Sequence, residues 1–347
     1  MTPPISLNPG PSQLSAATIA DIADIAASGL LSKSHRSDAF VAVSRAAFGG
    51  LREKLAIPDD YRVLYHPSAT AAMDTCLRNC VASKSFHFVH GAFSKRFATS
   101  AKEIGLDAVV ATSDGARAVP WRAAAIPAGT ELVAVTHNET ATGLMWPVDE
   151  LAALRAAHPE PLLAVDVTSS FGGMAMRWTD ADVWFGSVQK CLGLPSGMGY
   201  LVVGPRAFAA ARRVGARVSA WQSLASMAEK MDAWQTVETP NVLAIALLAR
   251  QMARWDLARI ERETREKAAL LYGSSVAWTP YVEDVAWRSI TVACLRVYEP
   301  KRWIERAAAA GFALGSGYGD LKPTTVRVAN FPAVSTGDMA RFSAALG

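Results

Sequence analysis

Cysteine is scarce in this chain: four in 347 residues, with no C-x-x-C pair and no two histidines at the spacing of zinc ligands. That excludes a disulfide framework and argues against a metal site. Cys76, Cys80, Cys191 and Cys294 read as buried free thiols. Charge is sparse too. Only 19% of residues are Asp, Glu, Lys or Arg, and the net charge of +4 is scattered instead of gathered into a basic stripe. Nucleic acid is therefore not an expected partner. The densest apolar run, 242–249, is closed by Arg250 and falls well short of the roughly 18 residues a membrane helix needs. The opening Met1-Thr2-Pro3-Pro4 lacks the charged-then-apolar layout of a secretory signal. A cytoplasmic protein without membrane contact is the expectation. No repeat, low-complexity tract or Gly/Ser-rich linker interrupts the sequence.

What the chain has is apolar residues, 51% of the total and much of that alanine. Its length predicts two domains at roughly 150 residues each. Short β-rich runs at 63–65, 86–89, 108–111, 131–135, 162–165, 183–186 and 199–203 alternate with alanine-rich helical stretches at 71–82, 94–104 and 148–157. Such alternation predicts an α/β fold with a mostly parallel, seven-stranded sheet covered on both faces. Shorter connections between 162 and 203 predict some antiparallel pairing there. After Thr239-Pro240-Asn241 the texture changes. One long helix over 242–272 is predicted, then strand-like residues 287–297, a helix at 301–310, a strand at 325–329 and a final helix at 336–346. The expected division is a large cofactor-binding domain over 15–245 and a smaller α+β domain over 246–347, with segment 1–14 packing on the smaller one.

Chemistry concentrates in four places. In Leu163-Ala164-Val165-Asp166-Val167-Thr168-Ser169-Ser170 an apolar strand delivers an acid at its carboxyl end, where open α/β sheets collect ligands. Taken alone, Asp166 serves equally well as a turn cap. In Asp182-Val183-Trp184-Phe185-Gly186-Ser187-Val188-Gln189-Lys190 a similar strand runs into a lysine and then a Gly/Pro loop. Lys190 is either a surface residue past a strand or a buried amine, and a buried neutral lysine is a nucleophile. Because Asp166 ends the preceding strand, both side chains can face one pocket. That pairing suits pyridoxal phosphate, whose carbonyl takes a lysine and whose ring nitrogen takes a carboxylate. The third place, His66-Pro67-Ser68-Ala69-Thr70-Ala71, opens a helix after a strand. It is an ordinary N-cap or a phosphate cradle. The fourth, Ser34-His35-Arg36-Ser37, reads by itself as a solvated basic turn.

Asp-x-Thr-Ser-Ser followed by Gln-Lys and a Gly/Pro loop resembles the class V aminotransferases of fold type I, pyridoxal-phosphate enzymes, and among them most the phosphoserine aminotransferases. The resemblance runs from Asn8-Pro9-Gly10-Pro11 to Asn330-Phe331-Pro332. It implies Lys190 as the Schiff-base residue and proton shuttle, and Asp166 as the partner of the ring nitrogen. Thr168 and Gln189 accompany them in the same motifs. Ala69 and Thr70 match the cofactor-phosphate loop. Phe93, in His90-Gly91-Ala92-Phe93-Ser94, matches an aromatic over the cofactor ring, commonly tryptophan. Thr140, in Asn138-Glu139-Thr140, matches a contact to the ring hydroxyl side. Thr239 matches a residue that reaches the phosphate of the neighbouring subunit's cofactor, which implies a homodimer. His35 and Arg36 match a pair facing the substrate's distal phosphate, and Arg327 matches the arginine that clamps the α-carboxylate.

The implied reaction passes an amino group from glutamate to 3-phosphohydroxypyruvate, giving phosphoserine and 2-oxoglutarate in serine biosynthesis. The chain departs from the family at Gly317-Tyr318-Gly319-Asp320-Leu321-Lys322, where many members carry a second phosphate-binding His-Arg pair. That stretch is similar to one in alanine– and serine–glyoxylate aminotransferases, which are the alternative within the fold. A non-catalytic cofactor-binding homologue is the alternative outside enzymology. A cysteine desulfurase is disfavoured because Cys294 lies in an apolar strand-like run.

Overall fold

The structure, a computed structural model, describes residues 3–215, 218–273 and 277–347. Met1 and Thr2, part of the opening segment read above, lie outside the described residues. Seven strands form the larger sheet, in the spatial order Arg62–His66, Gly199–Val203, Val183–Ser187, Leu162–Asp166, Leu132–Thr136, Lys84–Val89 and Asp107–Thr112. Only Gly199–Val203 runs against the others, pairing antiparallel on both sides. The remaining neighbouring pairs are parallel. All seven β-rich runs read from the sequence are strands of this sheet. Its middle strands are buried along their whole length, as a sheet covered on both faces requires.

A second sheet has five strands in the order Ile5–Leu7, Phe312–Ser316, Thr325–Ala329, Val292–Arg296 and Thr279–Pro280. The first pairs parallel with the second, joining residues from opposite ends of the sequence. Arg327 stands in its middle strand, opposite Cys294.

Two expectations differ from the structure. The single helix over 242–272 is two helices, Val242–Ala253 and Leu257–Gly273. Asp256 breaks the run by accepting the N–H of Arg259 at 3.0 Å, so it acts as an N-cap in mid-pattern. Arg254, in the gap, pairs with Asp21 at 2.7 Å. The strand-like stretch 287–297 narrows to Val292–Arg296, because Ser289 Oγ accepts the N–H groups of Thr291 and Val292 and turns the chain first. The seam expected near residue 245 falls inside helix Val242–Ala253, whose Ile245, Leu247, Leu248 and Met252 pack in the larger core. The smaller core takes up Leu271 at the far end of the next helix.

Candidate active site

The carboxyl ends of the parallel strands open on one cavity of about 390 Å³, the place where open α/β sheets bind ligands. Strand Arg62–His66 leads through Ser68 into helix Ala69–Cys80. Ser68 Oγ accepts the N–H of Ala71 at 3.1 Å. The N–H groups of Ala69 and Thr70 then have no acceptor within their helix, at its positive end. Gly199 of the reversed strand presses against this turn: a Cβ there would stand 2.5 Å from the Ser68 carbonyl carbon and 2.9 Å from the Ala69 nitrogen. The turn keeps its position because that strand offers no side chain.

Asp166 ends its strand, buried. Its Oδ1 accepts the N–H of Thr168 at 2.9 Å and the Thr168 hydroxyl at 2.6 Å. Its Oδ2 makes no hydrogen bond to the described residues. Burial pushes the carboxyl up, opposed by the Thr168 donors and by the charge of Lys190.

Lys190 sits just past strand Val183–Ser187 and is 6% exposed. Its Nζ donates to Thr140 Oγ1 at 2.8 Å and to Ser169 Oγ at 3.0 Å. Those two hydroxyls lie 2.5 Å apart. Burial brings the amine down to about 8, although Asp166 pulls the other way. A buried amine near that value has an appreciable neutral fraction at working pH, so it can act as nucleophile or base. The Phe93 ring lies 5.4 Å from the same Nζ.

Glu139 fixes that ring. Its fully buried carboxylate accepts the N–H groups of Phe93 and Ser94 at 3.1 and 2.9 Å and the Ser94 hydroxyl at 2.8 Å, capping helix Ala92–Glu103. Arg327 enters from the smaller sheet. Its Nε donates to Ser316 O at 2.9 Å and its Nη1 to Thr140 O at 3.2 Å, and burial lowers its pKa. Two buried acceptors among the lining residues, Gln189 Oε1 and Asn138 Oδ1, have no hydrogen-bond partner among the described residues.

A free helix start for a phosphate, an uncommitted carboxylate oxygen for a ring nitrogen, an amine for a carbonyl and an aromatic platform fit pyridoxal phosphate. Bound there, it would supply a sink for the electron pair left at a substrate's α-carbon. The fit uses Ala69, Thr70, Phe93, Thr140 and Asp166, together with Thr168, Gln189 and Lys190, all of which line the cavity, as does Arg327.

Three sequence-predicted residues are elsewhere. His35 and Arg36 are not on the cavity wall. Arg36 Nη1 donates to Gln235 Oε1 at 2.9 Å and Nη2 to Val237 O at 3.5 Å. Thr239 is exposed and also outside. Lys322 and Asp320 do not line the cavity, whereas Tyr318 of the same segment does. Sequence reasoning missed Ser169 as a partner of the lysine, Glu139 as the cap, and Arg96 and Tyr318 as wall residues. Ser169, Glu139 and Tyr318 each stand inside a motif already singled out, whereas nothing in the sequence marked Arg96.

Residues 7–277 match the sequence model of the class-V aminotransferase family. The phosphoserine aminotransferase of Rhodococcus opacus (strain B4) is 28% identical over 354 residues, covering 96% of this chain and 92% of that protein. The crystal structure of a phosphoserine aminotransferase from Cytophaga hutchinsonii superposes with a TM-score of 0.95 at 33% identity, covering 100% of this chain and 99% of that one. The phosphoserine aminotransferase from Bacillus circulans subsp. alkalophilus shares the fold, with a TM-score of 0.86 at 19% identity over 100% and 98%. With that family match over most of its length, and with Lys190, Asp166 and Arg327 gathered in one cavity, this chain belongs to the class-V aminotransferases and is a transaminase.

Proposed function

We propose that this transaminase moves an amino group between glutamate and 3-phosphohydroxypyruvate, forming phosphoserine and 2-oxoglutarate in the cytoplasm on pyridoxal phosphate held by the cavity. The observation that carries the reading is the meeting of Lys190, Asp166 and Arg327 beside the free N-terminus of helix Ala69–Cys80. Ala69 and Thr70 would donate their N–H groups to the cofactor's phosphate, Asp166 Oδ2 would keep a proton at the ring nitrogen, and Phe93 would support the ring. Arg327 grips the substrate's α-carboxylate by its planar fork. Lys190 Nζ, steadied by the Thr140 and Ser169 hydroxyls, would take a proton from the substrate's α-carbon and return it to the carbon on the far side of the substrate's nitrogen. The names of the relatives support phosphoserine as substrate.

The active form in this reading is a homodimer. Arg36 is bonded to the strip that runs into Thr239, and both are exposed outside their own cavity. This supports a role in a neighbour's site, with His35 beside them. The test is an acceptor screen on the purified holoenzyme. Glutamate should bleach its visible absorption, and 3-phosphohydroxypyruvate should restore it faster than glyoxylate or pyruvate. Lys190→Ala should reduce turnover to background. A preference for glyoxylate, or normal turnover by Lys190→Ala, would overturn the reading.

A further inference from the structure

Four side chains form a row on the cavity wall. The Arg96 guanidinium lies 5.2 Å from the Phe93 ring centroid. The Phe93 ring lies 5.4 Å from that of Tyr318, tilted by 43°. The Arg327 guanidinium lies 5.3 Å from the Tyr318 ring. Two cations thus bracket two aromatic rings, and all four residues line the cavity. A guanidinium held near a ring by cation–π attraction gives up none of its N–H donors to a hydrogen-bond acceptor by that contact. Arg327 commits two of them to the Ser316 and Thr140 carbonyls. Arg96 commits none: it makes no hydrogen bond or ion pair with the described residues. It stands one turn after Phe93 on helix Ala92–Glu103, so the cap that fixes the ring also fixes the base of this arginine.

The charges on the wall are unbalanced. Arg96, Lys190 and Arg327 face a single carboxylate, Asp166. In the reading above, the helix start answers the cofactor's phosphate, Lys190 its carbonyl, Asp166 its ring nitrogen and Arg327 the substrate's α-carboxylate. One cation is left over. We propose that Arg96 binds an anionic group at the far end of the substrate side chain, from the same subunit that supplies Lys190. The site then selects amino and oxo acids with a second anion, phosphate or carboxylate, through a residue of its own wall. This occupies the role vacated where Gly317–Lys322 lacks the second His-Arg pair. The inference rests on the transaminase reading of the cavity but not on phosphoserine as its substrate.

The test titrates the holoenzyme with three substrate-like acids, read by the visible spectrum: glutarate, 3-phosphonopropionate and pentanoate. Arg96→Gln should weaken the two doubly anionic acids by about tenfold or more, the size of one lost charge-assisted contact. Pentanoate, with one carboxylate, should bind as before, and Arg96→Lys should recover part of the loss. A loss confined to the phosphonate assigns the distal group as phosphate; a loss confined to glutarate assigns it as carboxylate. Equal weakening of all three acids, or no weakening of either doubly anionic acid, overturns the proposal. An enzyme that ignores phosphoserine but still shows the glutarate loss would refute the substrate named above and leave this inference standing.

Discussion

Lys190 is the residue at which burial and chemistry oppose each other. Its amine is lowered to about 8, whereas an unfolded lysine titrates near 10.4. Between those values the unfolded chain binds more protons, so stability rises with pH across that window. Below the folded pKa the penalty is present in full, about 3 kcal/mol at 1.36 kcal/mol per unit. The nearly isosteric Lys190→Met should therefore stabilise the cofactor-free protein at pH 7 by up to about 3 kcal/mol, less the lost bonds to Thr140 and Ser169. The gain should vanish above the upper edge of that window. Urea unfolding of both proteins at neutral and alkaline pH checks this, and a gain that does not depend on pH would refute the cause. Lys190 and Asp166 were legible in the sequence because a charge ending an all-apolar strand has no bland explanation once a second one can face it. Glu139 and Arg96 were not. A glutamate in a loop and an arginine on a helix are ordinarily solvated, and only folding shows one fully buried under a helix start and the other on the cavity wall.

The element on which the proposed phosphate site depends is the turn from strand Arg62–His66 into helix Ala69–Cys80. Its placement depends on the strand beside it, so a single methyl group at Gly199 should act on cofactor binding. In Gly199→Ala the new carbon meets backbone atoms of Ser68 and Ala69 at 2.5–2.9 Å, and backbone cannot rotate away as a side chain can. The expected outcome is a stability loss of about 1–3 kcal/mol together with cofactor lost on dialysis that the parent retains. Absorbance after dialysis and a thermal melt measure the two. Unchanged retention would remove the phosphate from this turn. At this scale the sequence was readable where strands are continuous apolar runs and helices follow a capping residue. It misled at 254–256, where helical periodicity continues across the break and one aspartate decides the outcome. Ile5–Leu7 escaped notice because three residues are too few to show a period.

For the whole molecule, the resemblance assigned His35 and Arg36 to the substrate's distal phosphate and Thr239 to a neighbouring subunit's cofactor, and in the fold none of the three lines its own chain's cavity. No pattern along a chain distinguishes a residue that serves its own site from one that serves a copy. Mixing two inactive variants makes that distinction. If Arg36 works across a dimer, Lys190→Ala and Arg36→Ala chains combined and allowed to exchange should recover about a quarter of parental activity, because half the dimers are hybrids with one intact site. Activity that stays at the level of the separate variants would place Arg36 in its own subunit or outside the reaction. Segment 5–12 belongs to this scale as well. Its strand Ile5–Leu7 lies against Phe312–Leu314, residues 8–11 form part of the cavity wall, and the N–H of Ser12 donates to the carbonyl of Gln189 at 2.7 Å. More than 300 residues of chain separate this strand from its partner. A nascent chain halted before residue 312 would own the lysine, the aspartate and the phosphate turn but not the finished wall. A chain without residues from 312 onward is therefore expected to hold the proposed cofactor poorly, because residues 8–11 would have no strand to anchor them against the cavity.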